Sequence, residues 1–442
     1  MELTNWGNYP RIQARFHSFS RSGQLAEILA EEAPLIARGL GRCYGDSSLG
    51  PSVVSTTNYK RMLNFDAAQG ILTCEAGVSF EDILSVFVPR GWFPPVTPGT
   101  RYITVGGAVA ADVHGKNHHI DGSFCRHVLR LQLMLADGTK VFCGPQERAD
   151  LFELTRGGMG LTGIILQVAF RLKPIETRFI MQQTHRFPNL GAIMDAFEDS
   201  ADTTYTVAWV DGLALGKSLG RSVLFRGEHA LQDELPARFR NNPLACLQKS
   251  KLTVPFYAPA FTLNRYSIKA FNGAFYHKAP TRWKQAVIDY DGFFYPLDNI
   301  LKWNRLYGRP GFTQYQFVLP LEQSRAGLIK ILTRIGESGQ GSFLGVLKLF
   351  GKQEGLLSFP REGYTLALDF PIKHDTFALL DELDRLVLDH GGRLYLAKDC
   401  RMNKQTFQKG YPRFETFMTG IRQWDPDTRL GSRQSQRTGV TP

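Results

Sequence analysis

The chain has 442 residues, 43% of them hydrophobic and 21% charged, which suits two globular domains and excludes a disordered or low-complexity chain. No run reaches the roughly 18 apolar residues of a bilayer span, and residues 1–10 lack the apolar centre of a signal peptide, so the expectation is a cytoplasmic protein, with the periplasmic side left open. The net charge is +11, from basic residues read as spread along the chain; it fits a solvated basic surface, an anionic lipid surface or a phosphorylated substrate, while the lack of a nucleic-acid-binding motif argues against nucleic acid.

In chain order, Ile71–Glu75 predicts a strand. Ser79-Phe80-Glu81-Asp82 then supplies a capping signal for a helix running towards Val88, with Pro89 and Gly91 at its end. Leu131–Ala136, the turn Asp137-Gly138 and Lys140–Cys143 predict a hairpin. Ile164–Leu172 predicts another strand. From about Arg178 the strands become longer and more aromatic. Leu252–Leu263, rich in proline and aromatic residues without a helical or strand period, reads as a loop, packed or in contact with a membrane. Thr376–Asp389 carries apolar residues at helical spacing, and Gly391-Gly392 stops it. The polar tail after Arg429 is expected to be loose.

Three glycine-rich segments can approach a phosphate closely. They are Ala37-Arg38-Gly39-Leu40-Gly41-Arg42-Cys43-Tyr44-Gly45-Asp46, then Pro98-Gly99-Thr100 continuing to Thr104-Val105-Gly106-Gly107-Ala108-Val109, and Gly157–Gly163. The last contains a GxGxxG, but a β-branched strand follows it where a dinucleotide-binding Rossmann unit needs a helix, so that reading is rejected. His114, His118 and His119 suggest a metal site. No HExxH glutamate accompanies them, and Gly115 and Asn117 oppose a helix, so no metal is assigned. The six cysteines form no CxxC pair and read as reduced thiols.

Alternation in the second half sorts residues by face. Tyr364, Leu366, Leu368 and Phe370 point one way, and Thr365, Ala367 and Asp369 the other. Gln314 and Gln316 share a face opposite Tyr315 and Phe317, and Lys348 is the polar member of its face in Val346–Phe350. By itself this pattern also fits an ordinary half-exposed antiparallel sheet.

Together the three segments resemble the vanillyl-alcohol-oxidase type of FAD-binding fold. Within it, Ala-Arg-Gly-Leu-Gly-Arg-Cys-Tyr-Gly-Asp, Asp112-Val113-His114-Gly115-Lys116-Asn117-His118-His119, Lys348-Leu349-Phe350-Gly351, Leu368-Asp369-Phe370-Pro371-Ile372 and Gly392–Asp399 resemble the decaprenylphosphoryl-ribose oxidases, in order along nearly the whole chain. The resemblance implies an α+β protein. Residues 1–177 and 393–442 would form the FAD-binding domain, and residues 178–392 an antiparallel-sheet substrate domain. It carries FAD contacts onto Ala37 through Ser47, Gly99, Thr104 to Gly107, Ala111 to His114, Ile165 and Tyr395, with Tyr44 packing on the cofactor. Arg42 stands where many relatives carry a flavin-bonding histidine, so the FAD is expected to be non-covalent.

The polar faces above would then form the wall towards the flavin, with Gln314, Gln316, Lys348, Thr365 and Asp369 as substrate contacts. The family's oxidases carry a cysteine where this chain has Ala367 and an asparagine where it has Thr365. Oxidising a secondary alcohol requires a hydride acceptor and a base for the hydroxyl proton. Lys398 is the first candidate, as base if burial lowers its pKa or as alkoxide stabiliser if it stays charged; His114 is the competing base. The resemblance further implies a polyprenylphosphoryl-ribose substrate, a 2-keto product, a separate NADH-dependent short-chain reductase that completes epimerisation to the arabinose form, and peripheral contact with a membrane. An aldonolactone or alditol oxidase acting on a free sugar, and a non-catalytic binder of lipid-linked sugar, remain as alternatives.

Overall fold

The computed structural model describes residues 1–246, 251–259 and 262–442. Besides two-stranded pairings, the first third builds most of two larger sheets. β1 (Arg15–Ser18), β2 (Leu35–Arg38) and β3 (Ser52–Ser55) pair in parallel in the order β1-β3-β2, and α1 (Ser22–Glu31) connects the first two. β4 (Met62–Asp66), β5 (Ile71–Glu75), β6 (Val128–Met134), β7 (Lys140–Cys143) and β8 (Ile164–Arg171) form a five-stranded antiparallel sheet, β7-β6-β8-β5-β4.

Local signals set these boundaries. Ser79 Oγ accepts from Asp82 N and the Asp82 carboxylate accepts from Ser79 N, both at 3.0 Å, which starts α2 (Phe80–Phe87). Each satisfies an amide that the first helical turn leaves without a partner. The turn between β6 and β7 is held by Thr139 N donating to Asp137 Oδ1 at 2.8 Å. α3 (Val105–Ala110) lies in the second glycine segment, and α4 (Ala149–Thr155) precedes the third, whose GxGxxG leads into β8. That order, helix then strand, is the reverse of a Rossmann unit. A short helix begins at His118, after His114, so the two histidines do not share a helical face.

The middle region contributes β9 (Phe179–Phe187), α5 (Leu190–Glu198), β10 (Tyr205–Val210), β11 (Ser222–His229), α6 (Arg265–Lys278), β12 (Lys284–Asp289), β13 (Phe312–Pro320), α7 (Leu321–Ser338), β14 (Gly345–Phe350), β15 (Gly363–Pro371), α8 (Thr376–Asp389) and β16 (Arg393–Leu394). Its strands form one eight-stranded antiparallel sheet in the order β12-β9-β11-β10-β14-β15-β13-β16. On one face, Leu366 and Leu368 of β15 pack against Leu328 and Ile331 of α7 and Leu380 and Leu383 of α8, all buried. Burying each such side chain contributes roughly 1.5–3 kcal/mol.

Of the two readings left open for the alternating strands the half-exposed sheet falls, and two expectations need correction. The sheet is not half-exposed: residues 363–370 of β15 are buried on both faces, because the face opposite the helices is covered by the glycine-rich region. Leu252–Leu263 is not all loop, since Leu252–Thr253 pairs in parallel with Ile300–Leu301; its residues 260 and 261 lie outside the described set. The tail is not loose. α9 (Arg433–Thr438) is capped by Ser432, and Gln434 Nε2 donates to the Leu396 carbonyl at 2.7 Å. Among the described residues no helix is long and apolar enough to cross a membrane.

Candidate active site

The covered face of the eight-stranded sheet and the glycine segments enclose a cavity of about 920 Å³, at the upper end of small-molecule sites. The first glycine segment continues from β2. Gly41 takes φ 63, a left-handed conformation that disfavours a side chain. At Gly39 a Cβ would run into the Thr104 side chain, so glycine lets this segment lie directly on the start of α3. Thr104 Oγ1 in turn accepts from Gly107 N at 3.2 Å.

The amides of residues 39–43 donate to no main-chain carbonyl of the described residues. Ser47 and His114 line the cavity, and Ser47 Oγ and His114 Nδ1 are buried without a hydrogen-bond partner among the described residues. Buried polar atoms normally have partners. An unpaired hydroxyl, an unpaired ring nitrogen and a row of free amides on one wall therefore fit a polar, phosphate-bearing cofactor such as FAD.

The opposite wall is β13, β14 and β15. Gln314 Nε2 donates to Asp369 Oδ1 at 2.7 Å, and Tyr307 Oη donates to Asp369 Oδ2 at 3.0 Å. Burial lifts the Asp369 carboxyl to about 6, against those hydrogen bonds and the positive charge of Lys398. Lys398 follows β16, and its Nζ lies 4.0 Å from the centre of the Tyr44 ring. Burial pushes Lys398 down to about 8, with Asp369 pulling the other way. Lys348 is pushed down to about 7 by burial and then by Lys398. Both ammonium groups line the cavity, and neither makes a hydrogen bond or ion pair with a described residue. Gln316 Nε2 donates to His114 Nε2 at 3.0 Å, which leaves the ring proton on Nδ1. Burial, then the charge of Lys348, hold His114 well below its usual range, so it stays a neutral imidazole.

Most of the expected cofactor contacts converge on this cavity. Ala37, Gly39 to Tyr44, Ser47, Gly99, Thr104, Gly106, Gly107, Ala111, Val113, His114, Ile165 and Tyr395 all line it, as do Gln314, Gln316, Lys348 and Lys398. Seven expected residues do not. Arg38 turns away to the Thr4 carbonyl at 2.8 Å. Gly45 packs against Asp399. Asp46 is buried in an ion pair with Arg437. Val105 is in the core. Asp112 accepts from Ser358 Oγ at 2.5 Å and from Cys125 N at 3.1 Å. Thr365 donates to the Phe317 carbonyl at 2.8 Å and accepts from Gln316 Nε2 at 3.2 Å. Asp369 stands behind Gln314. Thr365 and Asp369 therefore hold the glutamines and do not line the cavity themselves.

Sequence reasoning missed Lys116, whose Nζ donates to the Phe293 carbonyl beside the cavity, and which burial and Lys348 push down to about 7. It also missed the apolar branch lined by Trp209, Phe271, Phe275 and Phe343. No local pattern marks either, because each is assembled from distant strands and a helix. Ala367, where the family's oxidases carry cysteine, does face the cavity.

Residues 24–144 match the FAD binding domain family. The decaprenylphosphoryl-β-D-ribose oxidase of Mycolicibacterium smegmatis is 38% identical over 98% of this chain and 96% of its own. An uncharacterised protein in the mprA 5′ region of Streptomyces coelicolor is 33% identical over 82% of this chain and 100% of its own. Among solved structures, wild-type BBE-like 1 of Physcomitrella patens superposes with a TM-score of 0.66 at 15% identity, covering 94% of this chain and 89% of that one; this likeness concerns the fold alone. With the glycine cradle, its matched FAD-binding segment and near-complete alignment to one relative, the chain is an FAD-dependent oxidoreductase and belongs to the decaprenylphosphoryl-β-D-ribose oxidase family.

Proposed function

We propose that this protein oxidises the 2-hydroxyl of a polyprenylphosphoryl ribose to the 2-keto sugar, with FAD held non-covalently. One observation carries the reading. A single cavity joins the glycine cradle, Lys348 and Lys398, which make no hydrogen bond or ion pair with a described residue, and an apolar branch built from Trp209, Phe271, Phe275 and Phe343. A flavin, a phosphorylated sugar and a prenyl chain each match one of these chemistries. The substrate named for the Mycolicibacterium smegmatis relative has the same parts.

Bound FAD supplies the hydride acceptor. Lys398 takes the hydroxyl proton: burial lowers its amine to about 8, so part of it is neutral near physiological pH, while Lys348 and Lys116, lowered to about 7, are the amines that a bound phosphate would return to the charged form. His114 is the weaker candidate: its Nε2 lone pair is already engaged by Gln316. Lys348 and Lys116 attract the phosphate, and Gln314 and Gln316 orient the sugar. Arg42 cannot tether the flavin; its guanidinium lies 3.9 Å from the centre of the Trp6 ring. A separate NADH-dependent short-chain reductase would reduce the 2-keto product to the arabinose form.

Mass spectrometry of the product from a short-chain prenylphosphoryl ribose tests the reading. A product lighter by two hydrogens is expected. Turnover of free aldonolactones, with none of the prenylphosphoryl sugar, would replace it. Flavin released into the supernatant on acid precipitation is expected, and flavin remaining in the pellet would refute non-covalent binding.

A further inference from the structure

We propose that the face formed by residues 251–259 and the outer side of α6 docks on an anionic lipid bilayer and sets the cavity mouth at the membrane surface. The proposal rests on the polyprenyl-phosphate reading above and names the surface through which such a substrate is reached.

Charge is the first observation. No aspartate or glutamate occurs between Glu234 and Asp289, whereas nine lysines and arginines do, in a chain whose net charge is +11. The positive excess is therefore concentrated in this stretch, which corrects the impression of an even spread. Arg265 and Lys269 of α6 are exposed and make no ion pair with a described residue. Lys251 differs, being paired with Glu81 at 3.4 Å.

Apolar exposure is the second. Leu252, Phe256 and Tyr266 are 75%, 69% and 81% exposed. Large apolar side chains grouped at a surface mark interaction sites more often than scattered ones do. Here they are held outward by built contacts. Arg305 Nη1 donates to the Val254 and Pro255 carbonyls at 3.1 and 2.6 Å, and Leu252–Thr253 pairs with Ile300–Leu301. α6 is capped by Asn264, which accepts from Tyr266 N at 2.8 Å. Its inward side is fixed by Ile268, buried, and by Asn272, whose Nδ2 donates to Asp211 Oδ1 at 2.7 Å. That orientation leaves Tyr266, Lys269, Ala270 and Ala274 facing out.

The third observation is position. Phe271 of α6 is 48% exposed yet lines the cavity, together with Ile300 and Trp303 beside the anchored segment. The exposed face is thus continuous with the apolar branch. Aromatic side chains interleaved with unpaired cations match the headgroup layer of an anionic bilayer, with rings at the acyl boundary and cations among the phosphates. Docked this way, a prenyl chain reaches the cavity without crossing water, which removes the unfavourable exposure of its apolar surface.

The test is sedimentation of the FAD-loaded full chain with phosphatidylcholine vesicles, with and without phosphatidylglycerol, at low and high salt. Binding to the anionic vesicles, weakened by salt, is expected. Phe256→Ser combined with Tyr266→Ser should cut the bound fraction more than tenfold, and Lys269→Gln by about fivefold. Neither variant should change flavin content or turnover of a water-soluble short-chain substrate, since none of the three residues lines the cavity. No sedimentation of the wild-type chain, or variants that sediment like wild type, would overturn the proposal. Variants that turn a dimer into a monomer, with no vesicle binding by the wild type, would assign the face to a second copy and overturn it equally. The two readings separate cleanly. Vesicle binding without oxidation of any prenylphosphoryl sugar supports the surface and removes the substrate, whereas oxidation of the soluble substrate without vesicle binding removes the surface alone.

Discussion

Arg437 of the last helix reaches Asp399, Nη2 to Oδ2 at 2.9 Å, one residue from Lys398. The same Nη2 lies 2.6 Å from Asp46 Oδ1, in the first glycine segment. Tyr44 N also donates to the Ala397 carbonyl at 3.1 Å. The end of the chain thus fastens the glycine loop to the segment carrying the proposed base. Arg437→Met would leave buried Asp399 with backbone donors alone and buried Asp46 with Arg433, 4.0 Å away, as its remaining cation. A loss of about 3 kcal/mol is expected, measured by urea unfolding, with Arg437→Lys recovering part of it. A variant as stable as wild type would show that the clamp is dispensable.

The pH dependence of flavin reduction should report Lys398. Its lowered value, about 8, means that the amine is protonated below that pH and free above it. The rate is therefore expected to rise with pH through about 8 and then level off. Lys398→Met should remove this rise and slow reduction by roughly 10²–10⁴-fold. His114→Gln should slow the reaction less and keep the rise. An unchanged profile in Lys398→Met would transfer the role to another group.

Gly39→Ala should cost the protein its flavin, because the added Cβ collides with Thr104 and forces the loop off α3. The ratio of flavin to protein absorbance after purification measures this. Full flavin content in that variant would place the cofactor elsewhere.

Ala367 removes a thiol from the cavity face of β15. Cysteine-directed covalent inhibitors of the family are expected to leave the wild-type chain active and to inactivate the Ala367→Cys variant. Cys43 also lines the cavity, which makes it the control. Wild-type inactivation that disappears in Cys43→Ser would contradict the expectation.

What was legible in the sequence was local. The Ser79–Asp82 cap, the Asp137-Gly138 hairpin and the helix at Thr376–Asp389 depend on neighbours in the chain, and each formed as its residues predict. Alternation in β13 and β15 also sorted the faces correctly, since a period of two is a property of the strand itself. The tail was misread because its partners are remote: Gln434 binds Leu396, and Arg437 binds Asp46. Thr365 and Asp369 were placed on the correct face, yet both bond to neighbouring strands, and no periodicity distinguishes a side chain that lines a cavity from one that supports its wall. Lys116 and the apolar branch could not be read for the same reason.

Anaerobic mixing of the purified protein with a short-chain prenylphosphoryl ribose, followed by visible absorbance, tests the central claim most directly. Bleaching of the oxidised flavin bands, abolished or greatly slowed in Lys398→Met, is the predicted result. Flavin that stays oxidised with this substrate, while a free aldonolactone or alditol bleaches it, would contradict the account.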